Sequence, residues 1–364
     1  MTAPAPPDLS LGPEWAVLEL LCRPPRSPGR DAQIRVLLSD RSLHWGELIE
    51  QAIRHKLLPL LADHLASGRH DDLIAGPLAA HLRQALRANQ HRTRIYRAEA
   101  LTVTAALADT SVPAAVTRGL ALEATLYAGK GTRTFSDLDL LVPPSREHRA
   151  SQILVRLGYQ SARPGSYGRR VDDPITPTLI VDLATRWSSR TSSAEPADDV
   201  DAILNRRTWQ PAPGHPADAR LPVPATADHA LLLSLALFNK AWHASARGSD
   251  VTLLAFADLL RLWTTTPELQ QSHTLATSPA WATARRPTQW VLAQLDRLFG
   301  TTILKRTGFA TDVDEAWLAS TGDRQGRTQQ WHGTMRPRLH AKTPPGSSSN
   351  AAADRRPTRP GELS

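Results

Sequence analysis

Arg133-Thr-Phe-Ser-Asp-Leu-Asp-Leu-Leu-Val142 decides how this chain is read. It is a compact apolar run carrying two acids and ended by Pro143 and Pro144, which predicts a short strand over 137–142. Side chains alternate across a strand, so Asp137 and Asp139 leave one face while Leu138, Leu140 and Val142 leave the other and can anchor it in a core. Two like charges side by side raise each other's cost of ionisation unless a cation sits between them. A divalent metal with oxygen ligands resolves that cost, and Mg²⁺ prefers one or two carboxylates together with phosphate oxygens. The other reading is an acid pair at a sheet edge. Asp199/Asp201 and Asp312/Asp314 have the same spacing in polar, loop-like surroundings and read as solvated surface. Asp137/Asp139 differs from them in its apolar setting, where an unpaired acid is costly.

A second strand is expected at Thr178-Leu-Ile-Val-Asp-Leu183, just after Pro177, and it carries a third acid, Asp182. If the two strands are neighbours, three carboxylates converge on one patch. A two-metal phosphoryl-transfer site needs such a patch, with metals roughly 3.5–4 Å apart. Upstream, Val112–Thr117 leans towards β structure, followed by Gly119 and a helical segment over 121–128. A helix over 145–157 closes at Gly158. Helices are also expected over 15–21, over 43–65 with Ser42 as cap and Pro59 as a break, and over 77–108, 226–245, 249–264 and 285–299. Residues 190–224 read as loop. Strands fall mainly between 112 and 184, so the fold class is α+β: a small mixed sheet flanked by N-terminal and C-terminal helical segments. The divisions expected are a helical region over 1–110, an α/β core over 111–210, a helical region over 225–300 and a disordered basic tail over 318–364.

Length and composition agree with a folded chain. At 364 residues about two domains are expected, and 41% hydrophobic against 21% charged residues is a globular balance. The single cysteine, Cys22, excludes a disulfide framework and a cysteine-cluster zinc site, and is read as a small buried apolar residue. The longest apolar run, Ala230 to Phe238, is interrupted by Ser234 and falls short of the roughly 20 residues that span a bilayer. The N-terminus shows no secretory pattern, so a cytoplasmic protein with no membrane partner is expected. The net charge is +8, and residues 321–364, with eight Arg/Lys against three acids, supply five of it. The high charge therefore describes a tail more than a nucleic-acid-binding face, and nucleic acid is a secondary expectation as partner. Only five of the 43 basic residues are lysine (56, 130, 240, 305 and 342), which is read as compositional bias.

The stretch Thr117-Arg-Gly-Leu-Ala-Leu-Glu-Ala-Thr-Leu-Tyr127 followed by Arg133–Val142 resembles the bacterial uncharacterised nucleotidyltransferase family, within the DNA-polymerase-beta-like nucleotidyltransferase superfamily. The shared pattern is Lys-Gly, a short helix ending near Tyr, then Arg, three residues, Asp-x-Asp and an apolar run. Ile180-Val-Asp-Leu183 matches the later strand with the third acid, and Trp187 follows it. Trp45–Leu65, Ala227-Asp-His-Ala-Leu-Leu, Lys240-Ala-Trp-His243 and Phe256-Ala-Asp-Leu-Leu260 are similar to the family's flanking helices, so the resemblance covers roughly residues 13–265.

The resemblance implies a Mg²⁺-dependent transfer of a nucleoside monophosphate from a nucleoside triphosphate to a hydroxyl acceptor (small molecule, peptide or protein), with release of pyrophosphate. It assigns Asp137, Asp139 and Asp182 to catalysis on two Mg²⁺ ions. It assigns Arg118, Gly119 and Arg133 to the nucleotide. By the same resemblance Arg133 neutralises a phosphate or pairs with Asp137; the plainer readings are a turn glycine for Gly119 and a surface residue for Arg133. Two positions depart from the pattern: Arg118 stands for the usual lysine, and Ala184 for a histidine two residues after the third acid. The alternative reading is therefore a catalytically silent binding module. His229 and His243 read as helix-packing or surface residues, and Asp258 as a paired structural acid.

Overall fold

A computed structural model describes residues 10–25, 29–66, 70, 72–186, 198–244, 250–270, 284–309, 313–322, 328–330 and 334–341. The expected strands form the middle of a five-stranded mixed sheet: β1 (Ala115–Thr117), β2 (Leu138–Leu141), β3 (Gln160–Arg163), β4 (Ser166–Arg170) and β5 (Thr178–Ala184), ordered β1-β2-β5-β4-β3. β2 runs antiparallel to β1 and parallel to β5, and the β3–β4 hairpin adds antiparallel to β5. Along β5 the apolar residues Leu179, Val181 and Leu183 are buried and alternate with Asp182, so the period-2 pattern of the sequence is the pattern of burial.

The first helices are α1 (Pro13–Cys22), α2 (Arg30–Leu38), α3 (Trp45–Arg54) and α4 (Leu58–Leu65). Pro59 sits in the first turn of α4, where a missing N–H costs nothing, and Lys56 at φ 61 makes the sharp turn before it. Ser42 does not cap α3; its N–H and its hydroxyl both bond to the Asp40 carboxylate. A 34-residue helix, α5 (Gly76–Asp109), follows. Around the sheet lie α6 (Arg118–Leu126) and α7 (Glu147–Arg156), and after it come α8 (Asp198–Asn205), α9 (Thr226–Trp242), α10 (Leu253–Thr265) and α11 (Arg285–Phe299).

Two cores result. In the helical lobe, Trp15, Leu18, Leu48 and Leu61 from the start of the chain share one apolar cluster with Phe256, Trp263, Trp290 and Phe299 from its end. The helical regions expected separately at 1–110 and 225–300 are thus one body. Helices as apolar as α1 and α10 must be covered on nearly every side, and each covers the other. The second core lies under the sheet, with Val103, Val116, Leu140, Ile153 and Val181. Helix α5 belongs to both: Leu82 and Leu86 enter the first core, Tyr96, Ala100, Val103 and Leu107 the second.

Two further expectations change. The segment read as loop over 190–224 carries α8 and a hairpin of β6 (Thr208–Pro211) and β7 (Arg220–Val223). The tail expected to be disordered from 318 is structured in its described part. Strands β8 (Ser320–Gly322) and β9 (Thr328–Gln330) pair, and α12 (Met335–His340) docks with Met335 and Leu339 buried. Its basic residues are matched by acids of the helical lobe, Arg336 to Glu19 at 2.6 Å and Arg338 to Asp250 at 2.8 Å. Trp187, Asp312 and residues 342–364 lie outside the described residues. Among the described residues no helix is long and apolar enough to cross a membrane.

Candidate active site

The parallel register of β2 and β5 sets Asp139 directly opposite Asp182. Neighbouring strands lie about 4.8 Å apart, so the two side chains leave the same face side by side. Asp137, two residues before Asp139, stands at the entry of β2. All three line one groove of about 300 Å³ between the sheet and the helical lobe, and so do Arg118, Gly119 and Arg133. The opposite wall brings Lys56 from the α3–α4 turn, Lys240 from α9, and Thr252 and Asp258 at the start of and within α10.

The acids are poorly neutralised by the protein. Burial pushes the Asp139 carboxyl up to about 6; Arg118 opposes the shift, while Asp137 and Asp182 add to it. Asp137 is also pushed up, by burial first and by Asp182 next. The Oδ1 atom of Asp182 is buried and has no hydrogen-bond partner. Its other oxygen faces Arg163 Nη2 at 3.6 Å, beyond hydrogen-bond length, and that arginine side chain is 73% exposed. Arg118 Nη1 reaches Asp139 Oδ1 at 3.0 Å from a side chain that is 54% exposed. Hard carboxylate oxygens, one of them orphaned, beside protonation-prone neighbours make a donor set that suits a divalent cation such as Mg²⁺. Among the described residues no group of three or more His, Cys, Asp or Glu side chains stands at metal-holding spacing.

Arg118, the first residue of α6, sits at φ 50, in the left-handed region that side chains other than glycine rarely adopt. Its backbone N–H donates to Nε2 of His229 at 3.3 Å. His229 is buried, and burial together with Arg133 and Arg118 depresses its pKa to about 3, so the ring is neutral and its nitrogen can accept. His229, read above as a packing residue, therefore reaches the site. Gly119 is required by packing: a Cβ there would stand 2.7 Å from Cβ of Phe135, so the first turn of α6 lies against the approach to β2.

Arg133 departs most from expectation. It pairs neither with Asp137 nor at the surface. It is buried and forks onto Asp258 of α10, with Nε at 3.0 and 3.2 Å from the two carboxylate oxygens and Nη2 at 2.7 Å from Oδ2. Tyr127 donates its hydroxyl to the same carboxylate at 2.8 Å. The loop before Arg133 is clasped by buried Glu123, which accepts from the N–H groups of Gly131 at 2.5 Å and Arg133 at 2.8 Å. Burial pushes the Glu123 carboxyl up to about 7. Asp258 is thus the paired acid that its apolar helix requires, and the pair ties the two lobes together under the groove.

The sequence profile of a family described as "Uncharacterised nucleotidyltransferase" matches residues 41–300, from the loop before α3 to the end of α11. The chain belongs to this family. The matched residues contribute both walls of the groove. Among solved structures, an antigenic nucleotidyltransferase-like protein from Paracoccidioides brasiliensis is similar at 16% identity, covering 62% of this chain and 96% of that one, with a TM-score of 0.38. No curated protein matches the chain. Membership places the chain among nucleotidyltransferases as a class.

Against the family pattern, Arg118 is the residue that touches Asp139, and Ala184, at the end of β5 opposite Leu141, contributes no side-chain chemistry. Sequence reasoning missed Lys56, Lys240 and His229. A signal for the first two was present: in a chain with only five lysines, two of them line this groove.

Proposed function

We propose that this chain is a Mg²⁺-dependent nucleotidyltransferase that moves a nucleoside monophosphate from a nucleoside triphosphate to a hydroxyl acceptor on a small molecule, peptide or protein. The observation that carries the reading is the cross-strand pair Asp139–Asp182, with Asp137 at its mouth, gathered in one groove where Asp139 is buried with a raised pKa and one Asp182 oxygen has no hydrogen-bond partner. Asp137, Asp139 and Asp182 would hold Mg²⁺, which would supply Lewis-acid charge stabilisation to a transferring phosphoryl group.

The chain's own groups do the rest by positioning and charge. The wall opposite the acids carries Lys56 and Lys240, cations suited to the polyphosphate of the substrate and of the departing pyrophosphate. Arg118, more than half exposed, can exchange its carboxylate partner for a phosphate, and its fork suits phosphate oxygens. Asp182, with an oxygen that accepts nothing within the protein, receives the acceptor's hydroxyl proton. The acceptor oxygen bonds to the α-phosphorus as the bond to the pyrophosphate oxygen breaks.

Transfer of label from α-labelled triphosphates to a panel of hydroxyl acceptors, using the full chain with Mg²⁺, tests the reading. Asp139→Asn is expected to abolish transfer. Absence of any Mg²⁺-dependent nucleotide binding by the unaltered chain would overturn it.

A second reading, a silent nucleotidyltransferase-fold binding module, draws on the Arg118–Asp139 contact and on Ala184. Calorimetry separates the two, since the silent module takes up neither metal nor triphosphate. Within the described part of the basic tail, Arg336 and Arg338 are committed to Glu19 and Asp250 and are not offered to a nucleic acid.

A further inference from the structure

We infer that Tyr96 is a positioning residue for the acids of the groove: its phenol oxygen is inserted between β2 and β5 where their ladder would otherwise continue, and so sets the gap between Asp137 and Asp182. The inference rests on the reading of the groove as a metal-dependent site.

The parallel ladder of β2 and β5 begins at Leu138 and Val181. One step earlier, the pattern of a parallel pair would join the N–H of Ile180 directly to the carbonyl of Ser136. That bond is replaced by two. The Tyr96 hydroxyl donates to the Ser136 carbonyl at 2.6 Å and accepts from the Ile180 N–H at 3.3 Å. The two strand entries are therefore held apart by the width of one oxygen. Asp137 follows Ser136 immediately, and Asp182 lies two residues after Ile180 on the same face, so the insertion acts on the backbone that presents both acids.

The oxygen is held firmly. Tyr96 is 1% exposed and sits on the face of α5 that packs under the sheet, in line with Ala100, Val103 and Leu107. Its ring meets Phe135 edge-on with centroids 5.5 Å apart. Phe135 in turn packs against Gly119, so a column runs from α5 through the approach to β2 into the first turn of α6. Burial keeps the phenol protonated, with Asp137 and Asp182 near enough to reinforce the effect.

Tyr96→Phe removes the oxygen and keeps the ring and its packing. Titration of the full chain with Mn²⁺ in a calorimeter is the test, because it needs no acceptor. The variant is expected to bind Mn²⁺ about tenfold more weakly, the scale of losing a partner that orients a metal ligand. Tyr159→Phe is the control. It also loses one buried phenol hydrogen bond, to Glu99 at 2.8 Å, but away from the residues that line the groove. It is expected to lose a comparable amount of thermal stability and no Mn²⁺ affinity. Unchanged Mn²⁺ affinity in Tyr96→Phe overturns the inference, as does an equal loss in both variants. Failure of the unaltered chain to bind Mn²⁺ instead overturns the reading of the groove, and the inference with it.

Discussion

Around Asp258 charge is matched inside the protein; around Asp139, on the facing wall of the same groove, it is not. Asp258 receives a forked arginine and a tyrosine hydroxyl, and Arg261 lies over the ring of that tyrosine at 4.5 Å while donating to the carbonyls of Leu21 and Cys22 at the end of α1. The result is a hydrogen-bonded network in which the buried carboxylate is fully matched. Asp139 has one half-exposed arginine for itself and two acids as neighbours, and the oxygen next to it on Asp182 is orphaned. Burial of charge is costly in both places. Where the fold supplies the counter-charge, the cluster serves structure; where it does not, the raised Asp139 pKa and the orphaned Asp182 oxygen are the basis of the proposed cation and substrate site.

Removing one member from each cluster should therefore have opposite effects. The largest expected effect is in the matched cluster. Asp258→Ala strands a buried guanidinium and should cost about 3–5 kcal/mol in urea unfolding. A cost below 1 kcal/mol would mean that the pair does not hold the lobes together.

In the unmatched cluster, Asp139→Asn should abolish transfer and yet stabilise the metal-free chain at pH 8, by on the order of 2 kcal/mol. The sign follows from the raised folded-state pKa. Asp139 moves from 3.8 to about 6, so between those values the folded chain holds a proton that the unfolded chain has lost. Its contribution to stability falls as pH rises through that window and is fully unfavourable above it. His229 and Glu123 titrate too, with pKa values of about 3 and about 7, but they are common to both chains. The wild-type minus Asp139→Asn difference in unfolding free energy should therefore fall between pH 4 and pH 6, and a flat difference would count against the shift.

The smallest effect is expected from Arg118→Ala. Arg118 lowers the Asp139 pKa, so its removal should raise that pKa further, with little change in unfolding midpoint because the guanidinium is half exposed. Carboxyl titration by NMR would show it, and a fall would contradict the pairing.

The parts of this arrangement that were legible in the sequence are those set by local period. Alternation in 137–142 and 178–183 gave both strands and placed the three acids on faces that could meet. The β3–β4 hairpin was not legible, because Gln160–Arg163 is polar and exposed and exists as a strand through pairing with β4. The lysine wall was hidden for a related reason. Lys56 and Lys240 lie far apart in the chain, and they meet the acids only because the two chain ends fold into one helical core. Asp258 was recognisable as an acid in need of a partner; that the partner is Arg133 depends on how the lobes pack, which no local pattern records.

The central proposal is that the acid trio accepts a divalent cation. Thermal unfolding of the full chain at pH 8 over a Mg²⁺ series, with a non-hydrolysable nucleoside triphosphate present, tests it most directly. The midpoint should climb with Mg²⁺ in the unaltered chain and stay level in Asp182→Asn. A midpoint that ignores Mg²⁺ in the unaltered chain, or climbs equally in both, would contradict the account.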